Sequence, residues 1–581
     1  MSSLSVVPKR FWQRRLARPS TFQIISTLII AVVAVLVAYP FVRVVGGMFF
    51  EDGLPSVEPI RRAVTAPGVG ELLSNSVVIV SGSGMLAVVV GSLLAWLNER
   101  TNARIAGLTD FVPLMPFILP SIALAIGWTL LLSPGAGMIN VLIRAILGWF
   151  GIEIERGPFD IYTLYGMIFC YFIVLVPYVF LFVTAGLRNM PGDLEEAARI
   201  SGAGAFKTFW KVTLPALKPN IAGAAVIVVW FGFAMFSIPL IIGTGAQIDV
   251  LTVRIVRLIN FTYPPQTDLA VSLSLFILVI VGGAWLIQLR IMRGGLFVQV
   301  GGGKGARNSK VDLGPWCWPA RIFLIGFLLI SGLFPLIGLL ITALNGYWSA
   351  DIQWSELGFS AFQRVLENEQ NLVALRNSLL LGLIAGTGIV LFSALMSTYM
   401  QKSGGGPFKR VLEAAIRVPV VVSGFVLIVG MIIAYSGAPF FLQGTFLLFV
   451  IAYMATAIPQ ASLISDSAAA QISKEMAEAG SISGAREGKI FSRIQLPLMA
   501  PGLVAGWTLV FVNITGDMEV AAMLASSSQP VVGFQILETY NIGRFADLAA
   551  MALMLTILTT ACVAIGTILG RLLEGRSRKA T

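Results

Sequence analysis

The sequence predicts an all-α polytopic membrane protein, with twelve transmembrane helices in two parallel homologous halves. Three observations carry this. The 581 residues are 57% hydrophobic and only 12% charged, about half the charged fraction of soluble domains. Uncharged runs recur that are long enough to cross a hydrocarbon core of about 30 Å. A polar, basic segment occurs twice, at 195–215 and again at 477–497.

Taken in order, residues 1–20 place Lys9, Arg10, Arg14, Arg15 and Arg18 ahead of an apolar run at 21–42. That run is longer than a signal-peptide core and no clear small-residue cleavage site follows, so it reads as a retained first helix. Further runs lie at 72–98, 111–133, 161–187, 221–243, 269–289, 322–344, 377–401, 418–435, 443–465, 499–516 and 548–570. The uncharged stretch from Val418 to Ser465 is too long for one span and divides at Ser436-Gly437-Ala438-Pro439, where Gly and Pro interrupt helical periodicity. Pro113, Pro116 and Pro120 mark bends in the third helix, where interrupted backbone can line a cavity.

An even number of spans places both termini on one side. With the N-terminus inside, most of the 40 Lys and Arg fall on cytosolic segments: Arg100, Arg104, the repeated loops, Arg290 to Arg321, Lys402 to Arg410 and the tail from Arg571. This is the positive-inside bias. The net charge of +11 therefore reports orientation in a lipid bilayer, with both termini cytoplasmic, and not nucleic-acid binding. The three cysteines have no CxxC spacing, so neither a disulfide framework nor a zinc site follows. Histidine is absent, which removes the commonest metal ligand and general base and excludes His-dependent triads and zinc proteases.

The repeated segments read EEAARISGAGAFKTFWKVTLP and AEAGSISGAREGKIFSRIQLP. A shift of 282 residues, the distance from Glu196 to Glu478, superposes them without a gap. Ile200 falls on Ile482, Gly202 on Gly484, Lys207 on Lys489, Phe209 on Phe491 and Pro215 on Pro497. The same shift places Pro177 on Pro459 in the preceding helices. A weaker echo, Asn75-Ser76 against Asn377-Ser378, needs a shift of 302, so the halves differ by loop insertions. Both loops follow an even-numbered helix, which makes the repeats parallel, and substrate paths in such proteins run between the halves. Residues 294–316, GGLFVQVGGGKGARNSKVDLGPW, read as a Gly-rich basic cytosolic linker.

Within the first loop, Glu196 to Ser201 favours helix, and Gly202 is where the chain can turn with positive φ at little cost. Phe206, Phe209 and Trp210 follow at i, i+3 and i+4, giving one apolar face. Lys207 and Lys211 lie one turn apart beside it, and Lys489 and Arg493 repeat the pair. Leu-Pro is expected to end the segment. A helix–turn–helix with an apolar stripe turned from lipid needs a protein partner, and two copies imply two equivalent partner surfaces.

The pattern E-A-A, Gly six residues after the Glu, then Leu-Pro 13 residues after the Gly resembles the EAA loop of binding-protein-dependent ABC importer permeases. The resemblance covers roughly 70–290 and 370–570, each like one type I (MetI-like) permease unit. It implies that each loop forms a coupling helix docking on an ATPase subunit. The coupling set is then Glu196, Ala197, Ala198, Gly202, Lys207, Lys211 and Pro215, with Glu478, Ala479, Gly484, Lys489, Arg493 and Pro497. The second copy departs from the pattern, reading EAG at Glu478-Ala479-Gly480. The implied layout is a cytosolic segment 1–20 and a first half 21–290 with its coupling loop at 188–220. A linker 291–320, a second half 321–570 with its loop at 467–502, and a cytosolic tail 571–581 complete it.

The resemblance further implies a chain that is no enzyme and binds no cofactor. ATP and Mg would sit on two copies of a cytosolic ABC ATPase, and a periplasmic binding protein would deliver the cargo at the bacterial inner membrane. GGGKG at 301–305 does not contradict this, because Lys304 is followed by Gly305 and a phosphate loop requires Ser or Thr there. The rival class is a secondary transporter, whose coupling ions need ionisable residues inside the bundle; the spans are almost free of them.

The least ordinary apolar stretch is FVNITGDMEVAAML, residues 511–524. Asp517 and Glu519 align at the 282 shift with Met235 and Ser237. As path residues the two carboxylates would form a cation-tolerant gate near the outer face. As residues at a helix end they would be solvated or touch an external binding protein, which is the commoner arrangement. Residues 238–274 resemble the corresponding external segment of ferric-iron permeases, and the fused two-unit length matches. Ferric iron is the cargo this implies, with thiamine, polyamine and phosphonate importers sharing the organisation.

Overall fold

The apolar runs fold as helices because a backbone in lipid must satisfy its hydrogen bonds within the segment. The computed structural model describes residues 20–579 apart from 52–53, 106–107, 110–114, 191, 294–310, 403–410, 413–414, 417–418, 420–423, 471, 473 and 527. The GGGKG stretch and Pro113 lie outside the described residues. Among those described, nine helices are long and apolar enough to cross a membrane, and up to eleven spans result if each of two bent pairs counts as one.

In the first half the helices include α1 (Thr21–Phe49), α2 (Val69–Arg100), α3 (Ser121–Leu132), α4 (Leu164–Asn189), α5 (Asp193–Ile200), α6 (Ala205–Thr208), α7 (Lys218–Gly232), α8 (Leu251–Asn260) and α9 (Thr267–Arg293). The second half continues with α10 (Cys317–Leu328), α11 (Phe334–Asn345), α12 (Glu369–Lys402), α13 (Gly424–Tyr435), α14 (Phe446–Ala470) and α15 (Lys474–Ile482). It closes with α16 (Glu487–Ile490), α17 (Leu496–Thr515), α18 (Glu519–Leu524), α19 (Val532–Asn541) and α20 (Phe545–Lys579).

Among the described residues the expected count of twelve is not confirmed, and three runs show helices shorter than a span. Among the described residues of the run at 111–133, a short turn at Met115–Ile118 precedes the 12-residue α3, and Pro116 and Pro120 withhold amide donors there. Within the run at 418–435 the described helix is α13, 12 residues long, and residues 418 and 420–423 lie outside the described residues. The run at 221–243 stops at Gly232 and resumes at Pro239. The division at Ser436–Pro439 is observed, α13 ending at Tyr435 and α14 starting at Phe446.

The first helix of each half packs against the other half. The Tyr435 hydroxyl donates to the Leu36 carbonyl at 2.8 Å, and a Cβ on Gly430 would lie 2.6 Å from the Pro40 carbonyl oxygen. Reciprocally, Gly127 of α3 meets Pro335 of α11, where a Cβ would sit 2.7 Å from the proline. Small residues permit this approach of backbones.

The Asn-Ser echo has a structural meaning. Ser76 accepts the Leu251 N–H at 3.0 Å, and Asn75 donates to the Asp249 carbonyl at 3.2 Å. In the second half Ser378 accepts the Val532 N–H at 2.9 Å, and Asn377 donates to the Pro530 carbonyl at 2.9 Å. Each pair fastens the start of a short helix that follows the break in its half, α8 or α19.

Candidate functional site

In the first loop, α5 presents Glu196 and Ala197 outward with Ala198 half-buried. Gly202 turns the chain at φ 81° and Gly484 does so at φ 77°, the left-handed region that favours glycine. Lys207, Lys211 and Pro215 are exposed, as are Glu478, Ala479, Lys489, Arg493 and Pro497. The expected single apolar face is corrected. A π-helical turn at Phe209–Thr213 rotates Phe209 inward, where its ring lies 4.7 Å from that of Trp96. Phe206 and Trp210 remain outward, Phe206 being 70% exposed. Ile200 and Ile482, 83% and 87% exposed just before the turns, join them as apolar groups on this surface.

Leu-Pro ends the first segment, whose helix stops at Ala216, but not the second. Pro215 and Pro497 each follow a π-helical turn, at Phe209–Thr213 and Phe491–Gln495, where the altered hydrogen-bond register accommodates the missing N–H. In the first half the chain bends by 71° between Ala216 and Lys218, whereas Glu487–Thr515 runs on as one span. The EAG departure has a packing cause: a Cβ on Gly480 would lie 2.9 Å from the Ile494 side chain. In the first loop the aligned residue is Val212, one methylene shorter, and there Ala198 is tolerated.

Both loops lie at one end of the bundle. Arg100 closes α2 beside the first loop, contacting Glu195. Ser20 opens α1 beside the second, contacting Glu487. The connection between α1 and α2 occupies the opposite end.

Along the seam between the halves is a cavity of about 140 Å³ that includes Tyr178, Trp230 and Met235 from the first half and Tyr453, Asp517 and Glu519 from the second. Asp517 sits in the break between α17 and α18 and accepts the Val520 N–H at 2.8 Å, so it caps α18 as well as facing the cavity. Asn513 donates to Gln460 at 3.0 Å on the same wall. Met235 lines the same cavity, and Ser237 is held by Ser121 at 3.1 Å. Pro116 and Pro120 also line this cavity. A second cavity of about 210 Å³, nearer the loop end, shares Trp230, Phe231 and Gln460 with the first.

The breaks are clasped reciprocally. Asn260 donates to the Ala522 carbonyl at 2.6 Å, and Tyr540 donates to the Ile241 carbonyl at 3.2 Å. Sequence reasoning missed Tyr453, Asn513 and Gln460, which are ordinary polar residues on apolar helices until the halves meet.

Two like membrane units in one chain, meeting along a cavity and presenting matched polar loops at one end, define a two-unit permease. The chain belongs to the family described as binding-protein-dependent transport system inner membrane component, which matches residues 87–291 and 378–579. It is a multi-pass inner-membrane permease and not an enzyme. It is 23% identical over 541 residues to the ferric transport system permease protein FbpB of Actinobacillus pleuropneumoniae, covering 92% of this chain and 76% of that one. It is 24% identical over 546 residues to Fe(3+)-transport system permease protein FbpB 2 of Haemophilus influenzae, covering 91% and 95%. A trehalose/maltose transport system permease protein MalF of Thermococcus litoralis is 28% identical over 204 residues, 34% of this chain and 65% of that one.

Proposed function

We propose that this chain forms the whole transmembrane path of an ATP-driven importer for ferric iron, with both termini cytoplasmic. The matched pair of exposed loops at one end carries the reading, since a dimer of ATPase subunits offers two equivalent grooves. In this scheme a periplasmic binding protein delivers cargo at the far end. Two cytosolic ATPase subunits, holding ATP and Mg, close and push the loops around Glu196 and Glu478, and the halves rock to open the seam outward. Hydrolysis and subunit separation return it to the inward-facing state. Gly202 and Gly484 shape the loops; Lys207, Lys211, Lys489 and Arg493 pair with acidic rims on the ATPases.

Iron as the cargo is supported by the names of the relatives that match nearly the whole chain. The two carboxylates on the seam cavity also suit a cation. The deciding experiment is radiolabelled ferric-iron uptake by iron-starved cells with and without the gene. Uptake lost on deletion and restored by the wild-type gene supports the reading. Unchanged uptake in cells with no second iron importer removes iron as the cargo and directs the assay to thiamine, polyamines and phosphonates.

A further inference from the structure

We infer that the two coupling loops are held by two different anchors, with Glu195 and Glu487 acting as positioning residues, one for each loop. The inference rests on the loops' role in the proposed function, but the anchors themselves are visible in the structure.

Glu195, next to the exposed Glu196, is 2% exposed and faces Arg100, equally buried at the end of α2, at 3.5 Å. Its other oxygen accepts the Thr213 hydroxyl at 2.6 Å, which ties α5 to the π-helical turn across the loop. Arg100 also donates to the Leu187 and Met190 carbonyls at 2.6 and 3.0 Å, at the C-terminal end of α4. One guanidinium thus donates to the carbonyls that end a helix and forms an ion pair with the carboxylate that opens the loop. The first loop is bound to its own half.

The second loop has none of these groups. At the 282 shift Ala477 replaces Glu195 and Gln495 replaces Thr213; at the 302 shift Lys402 replaces Arg100. Its carboxylate is Glu487, and the first loop has Ala205 at that position. Glu487 accepts from the Ser20 hydroxyl and, at 2.9 Å, from the Gln23 amide. Ser20 and Gln23 are also the two members of the capping box that starts α1. Phe22 adds a ring contact with Phe491 at 5.7 Å. Further along, α1 is fixed to the second half by Thr27 to Tyr399 at 2.7 Å and by the Tyr435 bond to Leu36. The second loop is therefore bound to the first helix of the chain, which crosses over to reach it. At the aligned positions neither half carries the residues of the other's anchor.

Hydrogen–deuterium exchange on the full-length permease in nanodiscs reads the loops separately. The S20A/Q23A variant, which removes both hydrogen bonds to Glu487, is expected to raise exchange over residues 474–490 at least about tenfold, the effect of losing even one hydrogen bond to a charged group. Residues 193–213 are expected to stay as protected as before. E195Q, with T213V as the milder change should E195Q fail to accumulate, is expected to do the reverse. Unchanged protection over 474–490 in S20A/Q23A, or equal loosening of both loops in either variant, overturns separate anchoring.

The same variants are then assembled in liposomes with the ATPase and binding protein that co-purify with the chain, and cargo moved per ATP hydrolysed is measured. A roughly tenfold fall in that ratio at normal assembly supports positioning. A loosened loop with an unchanged ratio leaves the anchors standing and overturns the coupling role assigned to that loop.

Discussion

The Ser378 hydroxyl accepts the Val532 N–H at 2.9 Å, and in the first half Ser76 does the same for Leu251 at 3.0 Å. In both halves a long helix supplies the cap for a short one whose start lies at the turn after a broken segment. Orphan amides at a helix start must find an acceptor, and here the acceptor comes from a neighbouring span. Ser378→Ala is expected to cost about 1 kcal/mol, the usual value of such a cap, with Ser378→Thr costing less. Thermal unfolding of the purified permease in detergent measures it; an unshifted midpoint for the alanine variant refutes the capping role.

Glu478 is exposed on the second loop, so reversing its charge leaves the fold intact. Glu478→Lys is expected to reach the membrane at normal abundance and to lose uptake while ATP hydrolysis by the assembled complex continues. Normal uptake at normal abundance would remove Glu478 from the docking surface.

Gly202 has no neighbour within 4 Å of where a Cβ would stand, and its φ is +81°. A substitution there meets only a backbone penalty, roughly 1–2 kcal/mol for an ordinary L-residue. Gly202→Ala is expected to reduce uptake more than Gly202→Asn, since Asn tolerates the left-handed region better. Equal loss in both variants would point to a side-chain clash with the partner instead.

Gly480 and Ile494 form a size-matched pair across the second loop. Gly480→Ala alone is expected to lower the unfolding midpoint, because overpacking costs about 1–3 kcal/mol. Adding Ile494→Val, which gives the residue found in the first loop, is expected to recover most of it. A double-mutant cycle with no interaction energy would show that the contact is unimportant.

Asp517 both caps α18 and faces the seam cavity. Asp517→Asn keeps a side-chain oxygen for the cap and removes the charge. It is expected to leave the unfolding free energy within about 1 kcal/mol of wild type while cutting iron uptake at least tenfold. Unchanged uptake would place the path away from Asp517.

Much of the molecule was legible in the sequence, and the successes share a cause. Apolar run length, the 282-residue repeat and the glycine turns at 202 and 484 are properties of short segments, and local chemistry decides them. The failures are equally specific. Phe209 sits at helical spacing with Phe206 and Trp210, yet a π-helical turn rotates it onto Trp96. The third, fifth and ninth runs satisfy composition, yet among the described residues they show helices of 12, 15 and 12 residues beside proline and glycine breaks.

By itself, then, the sequence determined the membrane class, the two halves and the repeated loop, because hydrophobic length and register are written in neighbouring residues. Only the tertiary structure decided that the first helix of each half crosses to the other, that Asp517 and Glu519 share a cavity with Tyr178 and Met235, and which carboxylate anchors which loop. Ser20 and Glu487 are 467 residues apart in the chain. Contacts of that kind depend on how the helices pack, and no local pattern encodes them.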